Sequence, residues 1–517
     1  MRKIFLILLF SISFLLKAQI IFEKTYGGTG GEVGSFFEPI ADGGFIITGG
    51  TNSFGAGWED VYLIKTDSLG NIVWMKTYGG TGYDYGKCVR QTTDGGFIIT
   101  GASVNSFNTD TLGDVYLIKT DSLGNSQWSK IIGGIYLDYG SSVIQSTDGG
   151  FIIAGRTERI YGDDDVYLIK TDINGDTLWT KTFGGSFNEW ANEVIQTTDG
   201  GYAITGWTNG PIYLIKTDAN GNELWSSTFG GTNGEMGNSI SQTVDGGFII
   251  TGRTRSFGSN TDRIYLVKTD TIGKLLWSKV YGSVKGFDYV GEYVEQTTDG
   301  GYVIVGDRGE AKKSSDIYLI KTDTIGNLQW SKNLCSNPNV GGGKCVREIS
   351  DGSYIISGGI SANNMSDANV YLIKTDSNGN GCEQINVNLT VLTPPTIVAH
   401  PIPQIFSNGI ISNPNTQINT GGSQNTICFG LMGVIDIIKS NFINIYPNSS
   451  PNGIFSIEFS DNKKREITVY NLLGEKIVQM QCREMKTKIT LNSGSGIYFI
   501  SVKDEGGSLL SGKVIIE

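Results

Sequence analysis

The stretch DGGFIITG occupies residues 42–49, and the same eight letters return at 94–101 and 245–252. Asp-Gly-Gly is turn chemistry, because glycine reaches positive φ without steric cost. FIITG is a nearly continuous apolar run. A strand with one wet face alternates apolar and polar residues, so an unbroken short run predicts a strand covered on both faces. Looser copies begin at Asp148, Asp199, Asp299 and Asp351, giving seven in all. A second phrase, YL[IV]KTD, tracks the first and begins at Tyr62, Tyr116, Tyr167, Tyr213, Tyr265, Tyr318 and Tyr371.

The second phrase runs from Tyr62 to Tyr371 in six steps of about 51 residues, a period that signals a propeller or solenoid. One repeat divides into four strand-sized pieces: GKCVRQT (86–92), GFIITG (96–101), DVYLIKT (114–120) and SQWSKII (126–132). Four short strands per unit, buried on both faces and written seven times, predict an all-β fold whose main body is a seven-bladed β-propeller over 19–380. The placement of Gly, Tyr and Trp resembles kelch-like propeller repeats. Tryptophan recurs in the fourth piece at 74, 128, 179, 225, 277 and 330, and the seventh repeat has none. QIIFEKTYGG (19–28) aligns with NIVWMKTYGG (71–80), with Phe22 in the tryptophan position. The N-terminal strand is therefore expected to close the last blade, removing edges open to other chains.

Residues 1–18 read as a signal peptide. Arg2 and Lys3 precede an apolar run from Ile4 to Leu16, and Ala18 supplies a small residue for cleavage. The run is short for a membrane anchor, and no membrane span is expected in the mature chain. The net charge is −11 with no basic stripe, which argues against nucleic acid as a partner. Six cysteines fit an oxidising compartment. Cys335 with Cys345, and Cys382 with Cys428, are pairings by proximity in sequence. Cys88 and Cys345 share one repeat position, in GKCVR at 86–90 and 344–348, which marks a structural slot.

Residues 381–440 hold half of the ten prolines and read as an extended or loosely strand-forming Pro/Asn/Thr-rich connector. Residues 441–517 change texture again. NIYPNSSPNGIFSIEFS (444–460), REITVYNLLGEKIVQM (465–480) and the stretch from Lys488 to Glu517 predict about seven short alternating strands in a small β-sandwich. The YPN opening, the Asn-Gly before Phe455, VYNLLGE, SGIYF and the terminal GKVII resemble the type A C-terminal sorting domain of the type IX secretion system of Bacteroidetes. Ser449 stands where that pattern usually has a second proline. The resemblance implies export across the outer membrane, partnership with the type IX machinery, and a destination that is secreted or on the outer cell surface.

Chemistry is sparse. The single histidine, His400, lies in the connector, so neither a Ser-His-Asp triad nor a histidine-rich metal centre is expected in the repeats. GxSxG, HExxH and P-loop motifs are missing. The segment 376–381 opens like a D-x-N-x-N-G calcium loop, but Val387 stands where its bidentate glutamate belongs. No metal and no cofactor are expected.

One series remains. An acid follows each Gly-Gly or Tyr-Gly pair at Glu32, Asp84, Asp138, Glu189, Glu235 and Asp288, and Val33, Tyr85, Tyr139, Trp190, Met236 and Tyr289 come directly after. Regular recurrence favours acids that cap their own turns and aromatics that pack between blades. The alternative is a ligand-binding ring at one mouth for sugars, a cation or basic peptides. Paired carboxylates in glycoside hydrolysis are the third reading. The expectation is a non-catalytic binding or adhesion module for an extracellular glycan or protein, not an enzyme. The alternatives are a polysaccharide hydrolase or lyase, or a structural surface-layer component.

Overall fold

The computed structural model describes residues 19–104, 113–160, 163–257, 261–283, 287–310, 315–334, 340–361, 368–382, 384–387, 389–399, 404–406, 410–412, 417–419, 421–432, 444–446, 449–450, 453–459, 462–471, 475–491, 495–504 and 509–516. The signal-peptide reading (1–18), His400 and Cys335 lie outside them. The described chain is all-β. Two compact units separate, one over Ile21–Gly430 and one centred on Leu431–Glu517.

The larger unit holds seven five-stranded antiparallel sheets. Six take four consecutive strands from one repeat. The second, for example, is Tyr83–Gln91, Phe97–Val104, Asp114–Thr120 and Ser126–Gly133. The seventh takes Val340–Glu348, Tyr354–Ser361 and Ala368–Lys374 from the last repeat, and its fourth strand is Gln19–Gly27. Phe22 pairs with Lys374 in the register by which Trp74 pairs with Lys65 and Trp128 with Lys119.

The two recurring phrases are bonded to each other. In every one of the seven sheets the lysine of YL[IV]KTD reaches the aspartate of the DGG turn at 2.7–3.0 Å, from Lys65–Asp42 to Lys374–Asp351. The aspartate ending YL[IV]KTD holds the next hairpin: Asp67 Oδ1 accepts from the amides of Leu69 and Asn71 at 2.9 and 2.8 Å. The glycine of that hairpin has positive φ, +74° at Gly124, and an added Cβ there would meet the Trp74 ring of the preceding sheet at 2.8 Å. Trp74 in turn meets Phe97 edge-on, and Trp128 meets Phe151 the same way. The repeated letters therefore specify contacts between sheets as much as strands within them.

Each sheet's second strand packs on the next sheet's first strand, from Phe45–Thr51 on Tyr83–Gln91 through to Tyr354–Ser361 on Glu32–Pro39 of the first sheet. Cys88 and Cys345 are buried free thiols. Each donates to a carbonyl of the following sheet's first strand, Cys88 to Val143 at 3.8 Å and Cys345 to Phe37 at 3.6 Å. The proposed Cys335–Cys345 pairing is thus corrected: burial makes Cys345 a packing group, and its thiol is pushed up to about 12.

Residues 381–440 do more than connect. Their short strands run back past the sheets in descending order, adding a fifth strand to each. Ile385–Asn386 pairs on the sixth sheet, Thr390–Leu392 on the fifth, Ile397–Ala399 on the fourth and Gln404–Phe406 on the third. Ile410–Ser412 then pairs on the second, Gln417–Asn419 on the first, and Ser423–Met432 lies beside Gln19–Gly27 in the seventh. Cys382 and Cys428 are disulfide-bonded, so the two ends of this belt are joined. Glu23 seats the join, accepting from the Cys382 amide at 3.2 Å and the Tyr371 hydroxyl at 2.6 Å. The belt covers only the last two or three residues of six of the sheets' fourth strands, as at Ile131–Gly133 of Ser126–Gly133, and pairing of this kind shields part of an edge from other chains.

The smaller unit has a three-stranded sheet (Asn444–Tyr446, Ile454–Glu458, Lys486–Thr490) and a five-stranded one containing Arg465–Tyr470, Lys476–Cys482, Gly496–Asp504 and Leu509–Ile516. Phe455, Ile457 and Ile489 from the first share one core with Ile467, Val469, Ile500 and Val502 from the second.

Candidate functional site

Five of the six acids singled out in the sequence turn into their own sheets. Glu32 accepts from the Gly28 amide at 3.0 Å and the Thr51 hydroxyl at 2.9 Å. Glu189 does the same with Gly185 and Thr208, and Glu235 with Gly231 and Thr254. Asp84 and Asp138 accept from Gly80 and Gly134 at 2.7 and 2.8 Å. All five are buried. In the sixth sheet the slot holds Tyr289, which is buried and whose amide donates to Asp262 O at 2.9 Å. Asp288 is half-buried one residue earlier and accepts from the Asp262 amide at 2.9 Å. Counting from the Tyr-Gly pair assigned Asp288 to the series because the loop after Gly282 is longer than its counterparts.

Asp84, Asp138 and Glu189 meet a second carboxylate, Asp60, Asp114 and Asp165, near the start of the third strand of the first, second and third sheets. Both Asp60 Oδ1 and Asp84 Oδ2 lie beside Gly79, and Asp114 Oδ1 and Asp138 Oδ2 lie likewise beside Gly133. Burial pushes Asp114 up to about 7, and the neighbouring Asp138 adds to that shift. Burial also raises Asp138 to about 6, against the opposing bonds from Thr157 and Gly134. Burial likewise raises Asp60 and Asp84 above the ordinary carboxylate range.

The residues that follow the acids have another fate. Tyr85, Tyr139 and Trp190 are half-buried and succeed one another across the second, third and fourth sheets. Tyr85 and Tyr139 lie 5.6 Å apart between ring centres. The Arg156 guanidinium sits over both Tyr139 and Trp190, at 4.7 and 5.0 Å. Asp164 fixes it, accepting from Arg156 at 3.2 Å and from the Trp190 indole at 2.9 Å. Trp207 completes the row 4.9 Å from Trp190. Val33 is exposed, and Met236 is half-buried. Arg156, Asp164 and Trp207 escaped the sequence reading because only strand pairing, Tyr139 with Arg156 and Trp190 with Trp207, brings them to the row.

A second feature follows from a bulge. Each sheet's first strand carries one extra residue at the same place: Ser35, Lys87, Ser141, Asn192, Asn238, Glu292 and Lys344. Bulges re-aim side chains. All seven line a single cavity of about 120 Å³. Lys344 pairs there with Glu292 at 2.7 Å and Asp307 at 3.2 Å. A wider cavity of about 520 Å³ is lined by Glu38, Arg90, Glu193, Tyr293 and Arg347 among others. Its charges are mutually paired: Arg90 lies 3.5 Å from both Glu38 and Glu193, and Arg347 lies 3.0 Å from Glu295.

The calcium-like loop is a hairpin. Asp376 Oδ1 accepts from the amides of Asn378 and Asn380 at 2.8 and 2.7 Å, and Oδ2 accepts from the Asn380 amide group at 2.9 Å.

Residues 444–517 match the family described as secretion system C-terminal sorting domain. This tail marks the chain for the type IX secretion machinery and for the outer cell surface. Among the described residues no helix is long and apolar enough to cross a membrane. An alignment of 195 positions, covering 32% of this chain, is 26% identical to the regulatory protein FlaEY of Caulobacter vibrioides; the chain spans 20% of that curated relative's length. Among solved structures, the extracellular domain of a putative hybrid two-component system from B. thetaiotaomicron shows a TM-score of 0.38 at 11% identity, covering 96% of this chain and 58% of that one. PorZ, a surface component of the type IX secretion system of Porphyromonas gingivalis, shows 0.37 at 9% identity over 91% of this chain and 58% of its own. A protein of unknown function from Dyadobacter fermentans shows 0.38 at 10%, over 69% and 98%.

Proposed function

We propose that the seven sheets are the blades of a closed, kelch-like β-propeller displayed at the outer cell surface as a non-catalytic binding module for extracellular glycans. The ring reading is supported by the cyclic packing of the seventh sheet on the first and by seven equivalent bulge residues around one cavity. The binding reading is carried by one observation: the row Tyr85, Tyr139, Arg156, Trp190 and Trp207, with Asp164 locking its arginine and indole. Half-buried rings packed on one another and on the Arg156 guanidinium combine apolar area at low entropic cost with polar groups at their rims, which suits sugar rings. A non-catalytic role is supported by the fate of the recurring acids, whose oxygens are spent on their own turns.

The test is a glycan array and polysaccharide pull-down with the full secreted chain, monitored for released sugar. Saturable binding without turnover is expected, reduced at least tenfold in Trp190→Ala and in Arg156→Ala. Released sugar would instead establish a polysaccharide-active enzyme. Self-association without saccharide affinity would establish a surface-layer component.

A further inference from the structure

Trp58 is 72% exposed, yet the loop that carries it is fixed. The loop joins the second and third strands of the first sheet, Phe45–Thr51 and Asp60–Thr66. The Asp60 carboxylate accepts from the amides of Ala56 and Gly57 at 3.0 and 3.1 Å. The Trp58 amide donates to the Gly82 carbonyl at 3.0 Å, and the Asp84 amide donates to the Glu59 carbonyl at 2.8 Å. Gly57 makes this seat possible, because an added Cβ would meet the Gly82 carbonyl oxygen at 2.3 Å. The loop of the first sheet is thereby laid on the start of the second. There the Trp58 indole stacks on the Tyr83 ring, with 6.1 Å between centres and 7° between planes. Tyr83 in turn leads to the aromatic row. It stands two residues before Tyr85 on one strand, in the same unbroken register, and so on the same side of the sheet. Ring follows ring from Trp58 on the first sheet through Tyr83, Tyr85 and Tyr139 to Trp190 on the fourth. Charge at the near end has one sign: residues 51–60 and 79–86 include Glu59, Asp60 and Asp84 and no lysine or arginine.

We infer that the Trp58–Tyr83 stack is an outlying subsite of the aromatic row, and that the row takes an uncharged polysaccharide along an extended stretch of its chain. The inference rests on the reading of the row as a glycan site. Trp58 holds a sugar unit remote from the one at Trp190, because rings on four successive sheets lie beyond the reach of a single sugar. The subsite is organised in advance. An indole kept in water on a loop tied by four hydrogen bonds has little freedom left to lose when a sugar ring settles on it. The charge of the ligand follows from its surroundings. Uronate or sulfate groups would approach Glu59, Asp60 and Asp84 with no cation in these loops to offset them, and Arg156 further along is already matched by Asp164.

The experiment is calorimetric titration of the full secreted chain with laminarin, xylan and mannan and with their oligomers from disaccharide to octasaccharide, against polygalacturonate at the same ionic strength. For the neutral glycan that binds, affinity should climb roughly tenfold between disaccharide and octasaccharide. Trp58→Ala should remove most of that climb, and Trp58→Phe should keep it. Trp190→Ala should weaken every length, which separates the shared site from its outlying part. Trp58 buries little, so both of its variants should unfold at the Tm of the parent chain. Affinity that does not grow with chain length, a full climb in Trp58→Ala, or polygalacturonate bound as tightly as the neutral chains would overturn this inference and leave the row as a glycan site. Binding of no saccharide at all would overturn the reading of the row and this inference with it.

Discussion

The Tyr26 hydroxyl donates to the Gly70 carbonyl at 2.7 Å, tying the chain's first strand to a hairpin of the first sheet. Tyr78 does the same to Gly124 at 2.6 Å, and Tyr281 to Gly326 at 2.6 Å. The Phe22 ring also lies against Gly70, where an added Cβ would come within 2.9 Å of it. The N-terminal strand therefore holds the seventh sheet to the first with the contacts used between the others.

Deletion of residues 19–26 should abolish cooperative unfolding or cause aggregation, because it exposes the edge of Ala368–Lys374. Phe22→Ala should cost about 3–5 kcal/mol, as for other large buried aromatics. Scanning calorimetry checks both, and an unchanged transition in the deletion would rule out this closure.

The stability of the larger unit should peak at mildly acidic pH. Asp94, Asp148 and Asp199 are held at about 2 against burial, by their lysines and turn bonds. Their contribution is present above the ordinary aspartate range and is lost as pH falls from about 4 towards 2. Asp114 and Asp138, raised to about 7 and 6, act in the opposite sense. Their contribution is full below about 4 and is lost as pH rises through 6 and 7. Asp114→Asn should therefore flatten the decline between about pH 4 and 7, measured as Tm against pH.

Reduction, or Cys382→Ser with Cys428→Ser, should cost about 2–4 kcal/mol, the usual worth of a bond closing a loop of this length. The first new proteolytic cuts should fall between 383 and 427, read by mass spectrometry of limited digests. Cuts first appearing inside the four-strand repeats would contradict a peripheral belt.

Removal of residues 441–517 should leave the larger unit folded and stop its appearance at the cell surface, with the protein retained in the periplasm. Fractionation and surface protease accessibility read the outcome. Surface display without the tail would show a second export signal.

Much of this was legible in the letters. Phe22 stood in the tryptophan position by alignment, and its pairing with Lys374 follows that alignment. The tie between the two phrases was not legible, because Lys119 and Asp94 are 25 residues apart and meet only through strand pairing. The connector was read as loosely strand-forming, but where its strands pair was hidden for a different reason. Thr390–Leu392 is three residues long, too short for any periodicity, and it pairs with Val280–Gly282, more than a hundred positions away. The acid series was visible, and its regular recurrence already favoured carboxylates folded back onto their own turns, as Glu32 and Asp84 are; spacing could not show that Asp138 would come to lie beside Asp114.

The belt also sets a schedule. Gln19–Gly27 leaves the ribosome first, yet its neighbours on both sides, Ala368–Lys374 and Ser423–Met432, are made near the end. The earliest strand must wait unpaired while six complete sheets follow it. The Cys382–Cys428 bond can form only once residue 428 has been made, so it locks the belt after the repeats have been laid down.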